Sequence, residues 1–181
     1  VNYHYNIDLT NTDLLIENSP GLVAFVNNQY WVATWNLDTI HILDAQGTFI
    51  ETITIAGLTG TRSITTDGTD LFMGAAGAEI YRVDPVTRLL QGTIPILPGG
   101  GHDATARMCT YDETLDGGNG GFWVGNFGSD IASVSMFGVT LSSIPSAIHG
   151  AAIYGGAIDN ISPDGPFLWI HNQGASQDLI T

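Results

Sequence analysis

The sequence predicts an all-β fold made of four-stranded antiparallel blades of the β-propeller type, and three observations predict it. Short apolar runs bounded by Gly, Asn, Asp or Pro recur from Gly21 to the end of the 181-residue chain. An aromatic residue returns at one place in each set of runs, at Trp31, Phe72, Trp123 and Trp169, with spacings of 41, 51 and 46. A polar residue closes the first strand of each set at Asn27, Asp67, Asp112 and Asp159, with spacings of 40, 45 and 47. Units of about 40–50 residues with four strands each are the signature of propeller blades. Helical periodicity is nowhere sustained, and 23 glycines with seven prolines oppose long helices. One such sheet cannot cover both of its faces alone. Radial stacking covers them, with the recurring aromatics as filling between blades.

Residues 1–20 form an N-terminal segment whose Tyr3–Leu9 stretch alternates cleanly, Tyr3, Tyr5, Ile7 and Leu9 against His4, Asn6 and Asp8. It is a candidate blade-completing strand. Blade 1 spans 21–57, with strands at Leu22–Val26, Tyr30–Thr34, Thr39–Leu43 and Phe49–Ile55 and turns at Asn27-Asn28 and Asp44–Gly47. Blade 2 spans 58–97, with strands at Ser63–Thr66, Leu71–Gly74, Ile80–Val83 and Leu90–Ile96. Blade 3 spans 98–147, opening at Arg107–Tyr111 and continuing through Gly121–Asn126, Asp130–Met136 and Val139–Ile144. Blade 4 spans 148–181, with strands at Ala152–Ile158 and Phe167–His171, and stops within its third strand. The ring is therefore incomplete, or is completed by the N-terminal strand or by a partner chain. The expected partners follow from these routes: further blades of a longer parent chain first, or other copies joined by strand addition.

Composition narrows the function. The apolar share of 44% is that of a globular protein, whereas charged residues make up 12%, half the usual share of about 25%. There is no lysine, and four arginines face 18 acidic residues. An acidic surface repels phosphate, so neither nucleic acid nor an anionic membrane is an expected partner. No apolar run approaches the ~18 residues of a membrane span. Cys109 is the single cysteine, so no intrachain disulfide forms. Val1 is not a start methionine, which fits a processed or excised chain. The composition suits an extracellular protein.

The segments G-F-W-V-G-N-F-G-S-D-I (121–131), I-P-S-A-I-H-G (144–150) and D-N-I-S-P-D-G-P-F-L-W-I (159–170) resemble the propeller regions of large secreted proteins of Bacteroidota. In that family such repeats commonly precede a C-terminal sorting domain of the type nine secretion route. The paired stretches Arg62–Asp67 and Arg107–Asp112 look like the family's first-strand motif. The likeness covers roughly Gly21 to the C-terminus, and implies secretion and a role at the cell surface.

Candidate site residues fall into three groups. Arg62 and Arg107 occupy equivalent positions at the start of first strands, beside the channel of a propeller, and could grip a carboxylate such as a uronic acid. Each could instead pair with the Asp five residues on, or with a neighbouring blade's carboxylate, as a structural tie. Trp35 and Phe127, the latter beside Asn126, follow second strands as candidate stacking surfaces for a sugar ring, and His171, at a post-strand position, is a further candidate ligand contact. Asp112 and Asp116, in one Gly-rich loop, and Asp159 and Asp164, in the parallel loop of blade 4, are oxygen donors of the kind calcium takes. Calcium is the one cofactor the sequence suggests, and the same loops also read as solvated hairpin tips. Asp38-Thr39-Ile40 fits a short O-glycosylation pattern at Thr39. Cys109, mid-strand, reads as a buried inert thiol.

No catalytic constellation emerges. The expected function is a secreted or cell-surface module for binding or assembly, with carbohydrate or a surface protein as partner. One alternative is a self-assembling extracellular subunit joined by strand addition. The other is a carbohydrate-active hydrolase or lyase using Arg62, Arg107 and the loop carboxylates Asp112 or Asp116.

Overall fold

Alternating apolar residues and tight turns become four antiparallel sheets in the computed structural model, which describes residues 20–35, 38–97, 101–174 and 179–180. The Tyr3–Leu9 strand expected near the N-terminus lies outside the described residues. The first sheet holds β1 (Pro20–Val26), β2 (Gln29–Thr34), β3 (Thr39–Asp44) and β4 (Phe49–Thr54) in that order. The second holds β5 (Ser63–Thr66), β6 (Leu71–Gly74), β7 (Glu79–Asp84) and β8 (Leu89–Pro95). The third holds β9 (Met108–Asp112), β10 (Gly121–Gly125), β11 (Ile131–Ser135) and β12 (Thr140–Ile144). The fourth holds β13 (Ile153–Asp159), β14 (Phe167–Asn172) and β15 (Leu179–Ile180). Two four-residue helical turns, α1 (Leu115–Gly118) and α2 (Ser146–His149), are the only helices among the described residues.

Each sheet is a meander because its turns have the chemistry for one. Asn27 and Asn28 both adopt positive φ, 50° and 61°, the two-residue turn that matches strand twist. Asp44, Asp67, Asp84 and Asp159 each accept backbone N–H groups two to four residues on, closing their own turns.

The sheets are blades of the β-propeller type. Their first strands touch in series, β1 to β5, β5 to β9 and β9 to β13. Between successive sheets lie three apolar seams. Trp31, Ile40 and Ile42 of the first sheet meet Leu71, Met73 and Val83 of the second. Phe72 and Ile80 of the second meet Phe122 and Val124 of the third, with Phe72 and Phe122 edge to face at 4.8 Å. Trp123 and Ile131 of the third meet Ile153, Leu168 and Ile170 of the fourth. The recurring aromatic is thus seam filling in three sheets. The fourth member, Trp169, lies on the face of the last sheet turned away from the third seam and is 43% exposed. The fourth strand β4 alternates between half-buried and exposed residues and β8 is mostly exposed, as outer strands with one free edge are.

Candidate functional site

In an antiparallel meander, the start of the first strand and the end of the second lie at the same end of the sheet. The register shows it: Pro20 pairs with Thr34, Ser63 with Gly74, Met108 with Gly125 and Ile153 with Asn172. Arg62 and Arg107, immediately before β5 and β9, therefore share one end with Trp35, Asn126 and Phe127, which follow β2 and β10, and with His171 near the end of β14. A cavity of about 490 Å³ opens there, and all four sheets contribute to its wall. Leu22, Trp35, Arg62, Ile64, Tyr154 and His171 line it, with Cys109 at the corresponding place on β9.

The arginines and the aromatics, which the sequence suggested as separate ligand sites, meet each other. The Arg62 guanidinium carbon lies 4.8 Å from the Trp35 ring centre. That of Arg107 lies 4.1 Å from the Phe127 centre and 4.7 Å from the Tyr154 centre. The rings expected to offer open faces to a sugar are thus already in contact with a cation. Tyr154 continues the cluster, its ring edge-on to His171 at 5.5 Å.

The alternative expectation, that each arginine pairs with the Asp five residues on, fails for a simple reason. Five residues of extended chain span ~16 Å, so Asp112 closes β9 at the far end from Arg107. Asp67 instead accepts the N–H groups of Thr69 and Asp70. Arg82 pairs with Asp70 and Arg88 with Glu51. Arg107, only 7% exposed, has no carboxylate partner among the described residues. Its Nε, and Thr105 Oγ1, Asn126 Oδ1, Trp35 Nε1 and Thr61 Oγ1, are buried without a hydrogen-bond partner there.

The same geometry places Arg62 and Arg107 at one end of the sheets and the loop carboxylates Asp112 and Asp116, which the hydrolase or lyase reading joins to them, at the other. Asp112 is occupied elsewhere. One oxygen accepts Thr114 N–H at 2.9 Å and Thr114 Oγ1–H at 2.7 Å, the other Trp123 Nε1–H at 3.0 Å. Burial pushes its carboxyl up, but these hydrogen bonds together hold it below its ordinary value. Asn160 Nδ2 approaches Asp112 at 3.5 Å, so the two acidic loops do share the far end. Asp159 there is held down to about 2 by Ser162 and the Ile161 N–H. Asp116, at φ 52° in α1, and Asp164 are exposed. No three His, Cys, Asp or Glu side chains form a metal-holding group among the described residues.

Thr39 opens β3, half-buried, and its carbonyl accepts Thr34 Oγ1–H at 3.0 Å. Burial pushes the Cys109 thiol far up, consistent with an inert role. Sequence reasoning missed Tyr154. It occupies the inner-strand position held by Ile64 and Cys109 in the preceding sheets, and a polar aromatic where those are apolar was the available signal. It also missed the repeat of His102 and His149, whose Nδ1 atoms each accept the N–H two residues on.

No protein-family model and no curated protein matches the chain. Among solved structures, the chain is similar to the crystal structure of the glutaminyl cyclase of Myxococcus xanthus, with a TM-score of 0.58 and 12% identity. The match covers 82% of this chain and 65% of that one. At this identity the likeness speaks for the fold.

Proposed function

We propose that the chain is a binding module, acting outside the cell, whose ligand enters the cavity at the inner-strand end. The carrying observation is the wall of that cavity: all four sheets supply residues to it, and Trp35, one of them, has its Nε1 buried without a hydrogen-bond partner among the described residues. The lysine-free acidic composition supports the extracellular setting. The likeness to a glutaminyl cyclase raises the question of catalysis. Among the described residues the cavity wall includes His171 and Tyr154 but no carboxylate, and binding is the reading this chemistry favours.

The test is a thermal-shift screen of small polar and amphipathic molecules against the intact chain and Trp35→Leu. Ligands of this site raise the melting temperature of the former and lose most of that effect in the latter. A ligand that stabilises both equally binds elsewhere, and would refute this placement. We further infer that the outer face of the last sheet, where Trp169 stands, is an assembly surface for another blade.

A further inference from the structure

We propose that Tyr154 sets the specificity of the cavity, which takes an uncharged molecule with a flat apolar body and a carbonyl oxygen that accepts from the Tyr154 hydroxyl. This rests on the reading of the cavity as the ligand site, and adds the chemistry of what it takes.

The way β13 presents this residue is the first argument. Ile153 pairs with Asn172 and Gly155 with His171, so Tyr154 is one residue too many for the partner strand. Such a bulge re-aims a side chain. The first sheet is bulged at the same end, where Gly21 falls between the paired residues Pro20 and Leu22. Both extra residues line the cavity, whereas β5 and β9, the inner strands between them, pair without a shift. Where the first sheet leaves the wall bare, the fourth places a phenol.

The second argument is that the ring is held while the hydroxyl is not. The Arg107 guanidinium carbon lies 4.7 Å from the ring centre, the His171 ring stands edge-on at 5.5 Å, and Phe127 is tilted against it at 6.1 Å. Three neighbours thus fix the ring before a ligand arrives. Tyr154 is half-buried, and its hydroxyl has no hydrogen-bond partner among the described residues. A cation against the ring face draws electron density from it, which makes the O–H a better donor. A carbonyl oxygen is the matching acceptor.

The third argument sets the rest of the ligand. Leu22, Val23, Ile64 and the Trp35 ring supply an apolar wall. Gly155, beside Tyr154, also lines the cavity, and a Cβ there would meet nothing within 4 Å. The strand therefore leaves room for a flat body next to the phenol. No carboxylate among the described wall residues stands ready to neutralise a cation. The guanidinium in the wall, that of Arg62, lies over Trp35, and the formal charge of −14 opposes the approach of an anion. An apolar site with one orienting polar group suits an uncharged ligand.

The experiment is isothermal titration calorimetry of the full chain with phenylacetamide, phenylacetate and 2-phenylethylamine, which share one ring and differ in charge. Phenylacetamide is expected to bind at least about fivefold more tightly than either ion, since a charge finds no counter-charge in the wall. Tyr154→Phe keeps the ring and should weaken phenylacetamide about fivefold, as loss of one neutral hydrogen bond does. It should leave 2-phenylethylamine, whose ammonium cannot accept, within about twofold of its original affinity. If Tyr154→Phe does not fold, the ranking of the three probes in the unmodified chain decides. Tighter binding of either ion would overturn the uncharged ligand while leaving the cavity a ligand site. Phenylacetamide binding lost in Trp35→Leu but unchanged in Tyr154→Phe would overturn the role of Tyr154 alone. Binding unchanged in both variants would place the ligand outside the cavity and overturn this inference together with the reading beneath it. Heat from none of the three probes would overturn this ligand class, while hits of the thermal-shift screen that depend on Trp35 would keep the cavity a ligand site.

Discussion

Single side chains show how the acidic residues divide their work. Asp112 is nearly enclosed and holds four protein donors, two from Thr114, one from Trp123 and a longer one from Asn160. Asp159 and Asp84 do the same for their own turns, and all three carboxyls lie below their ordinary values. A carboxyl depressed in the folded state adds stability that is full above the unfolded pKa and is lost as pH falls through the folded one. The melting temperature should therefore hold between pH 7 and about 5 and decline below about 4, toward the Asp159 value of about 2. Asp112→Ala should cost about 1–3 kcal/mol at pH 7, because the Trp123 and Thr114 donors lose their acceptor. Melts of both proteins from pH 2 to 7 test this. A variant as stable as the parent, with the same acid decline, would show that Asp112 contributes nothing of the kind.

At the scale of the strand, close packing rests on positions where no side chain fits. A Cβ at Gly74, the last residue of β6, would stand 1.9 Å from the Ala106 carbonyl oxygen and 2.5 Å from Ser63 Oγ. Ser63 Oγ–H donates to that carbonyl at 3.1 Å, and Arg62 N–H to the Gly74 carbonyl at 2.7 Å. The seam between the second and third sheets is thus stitched beside the cavity. Gly74→Ala should destabilise by about 1–3 kcal/mol, as overpacking does. Gly128→Ala, with nothing within 4 Å of the added carbon, should stay within about 0.5 kcal/mol. Urea unfolding of the pair reads the difference, and equal midpoints would contradict the close approach. The strands themselves were legible in the sequence because each is bounded by turn residues and alternates in polarity. The turns α1 and α2 were not, since four residues carry no helical period. Nor were the contacts of Arg62 with Trp35 and of Arg107 with Tyr154. They join residues 27 and 47 positions apart on different sheets, and only the packing of sheets brings them together.

The whole molecule repeats one arrangement from seam to seam. Trp31, Phe72 and Trp123 each lean toward the following sheet, and each meets the two residues that flank the equivalent aromatic there: Leu71 and Met73, Phe122 and Val124, Leu168 and Ile170. Trp169 continues the series with no described sheet beyond it, and Phe167 beside it is also exposed. At the other end, Val23 and Phe25 of β1 are exposed on the face that carries Tyr30 and Val32. Sedimentation velocity should show the chain associating with concentration, and Trp169→Ser should weaken that association. The substitution should cost less than about 1 kcal/mol of stability, because the ring already meets solvent. Identical sedimentation of the two proteins would exclude this face as a contact. The repetition gives the array a polarity, like bricks with a stud on one side and a socket on the other. However many such bricks are laid in a row, one stud and one socket remain at the two ends, so the count can grow or shrink without any internal joint being redrawn.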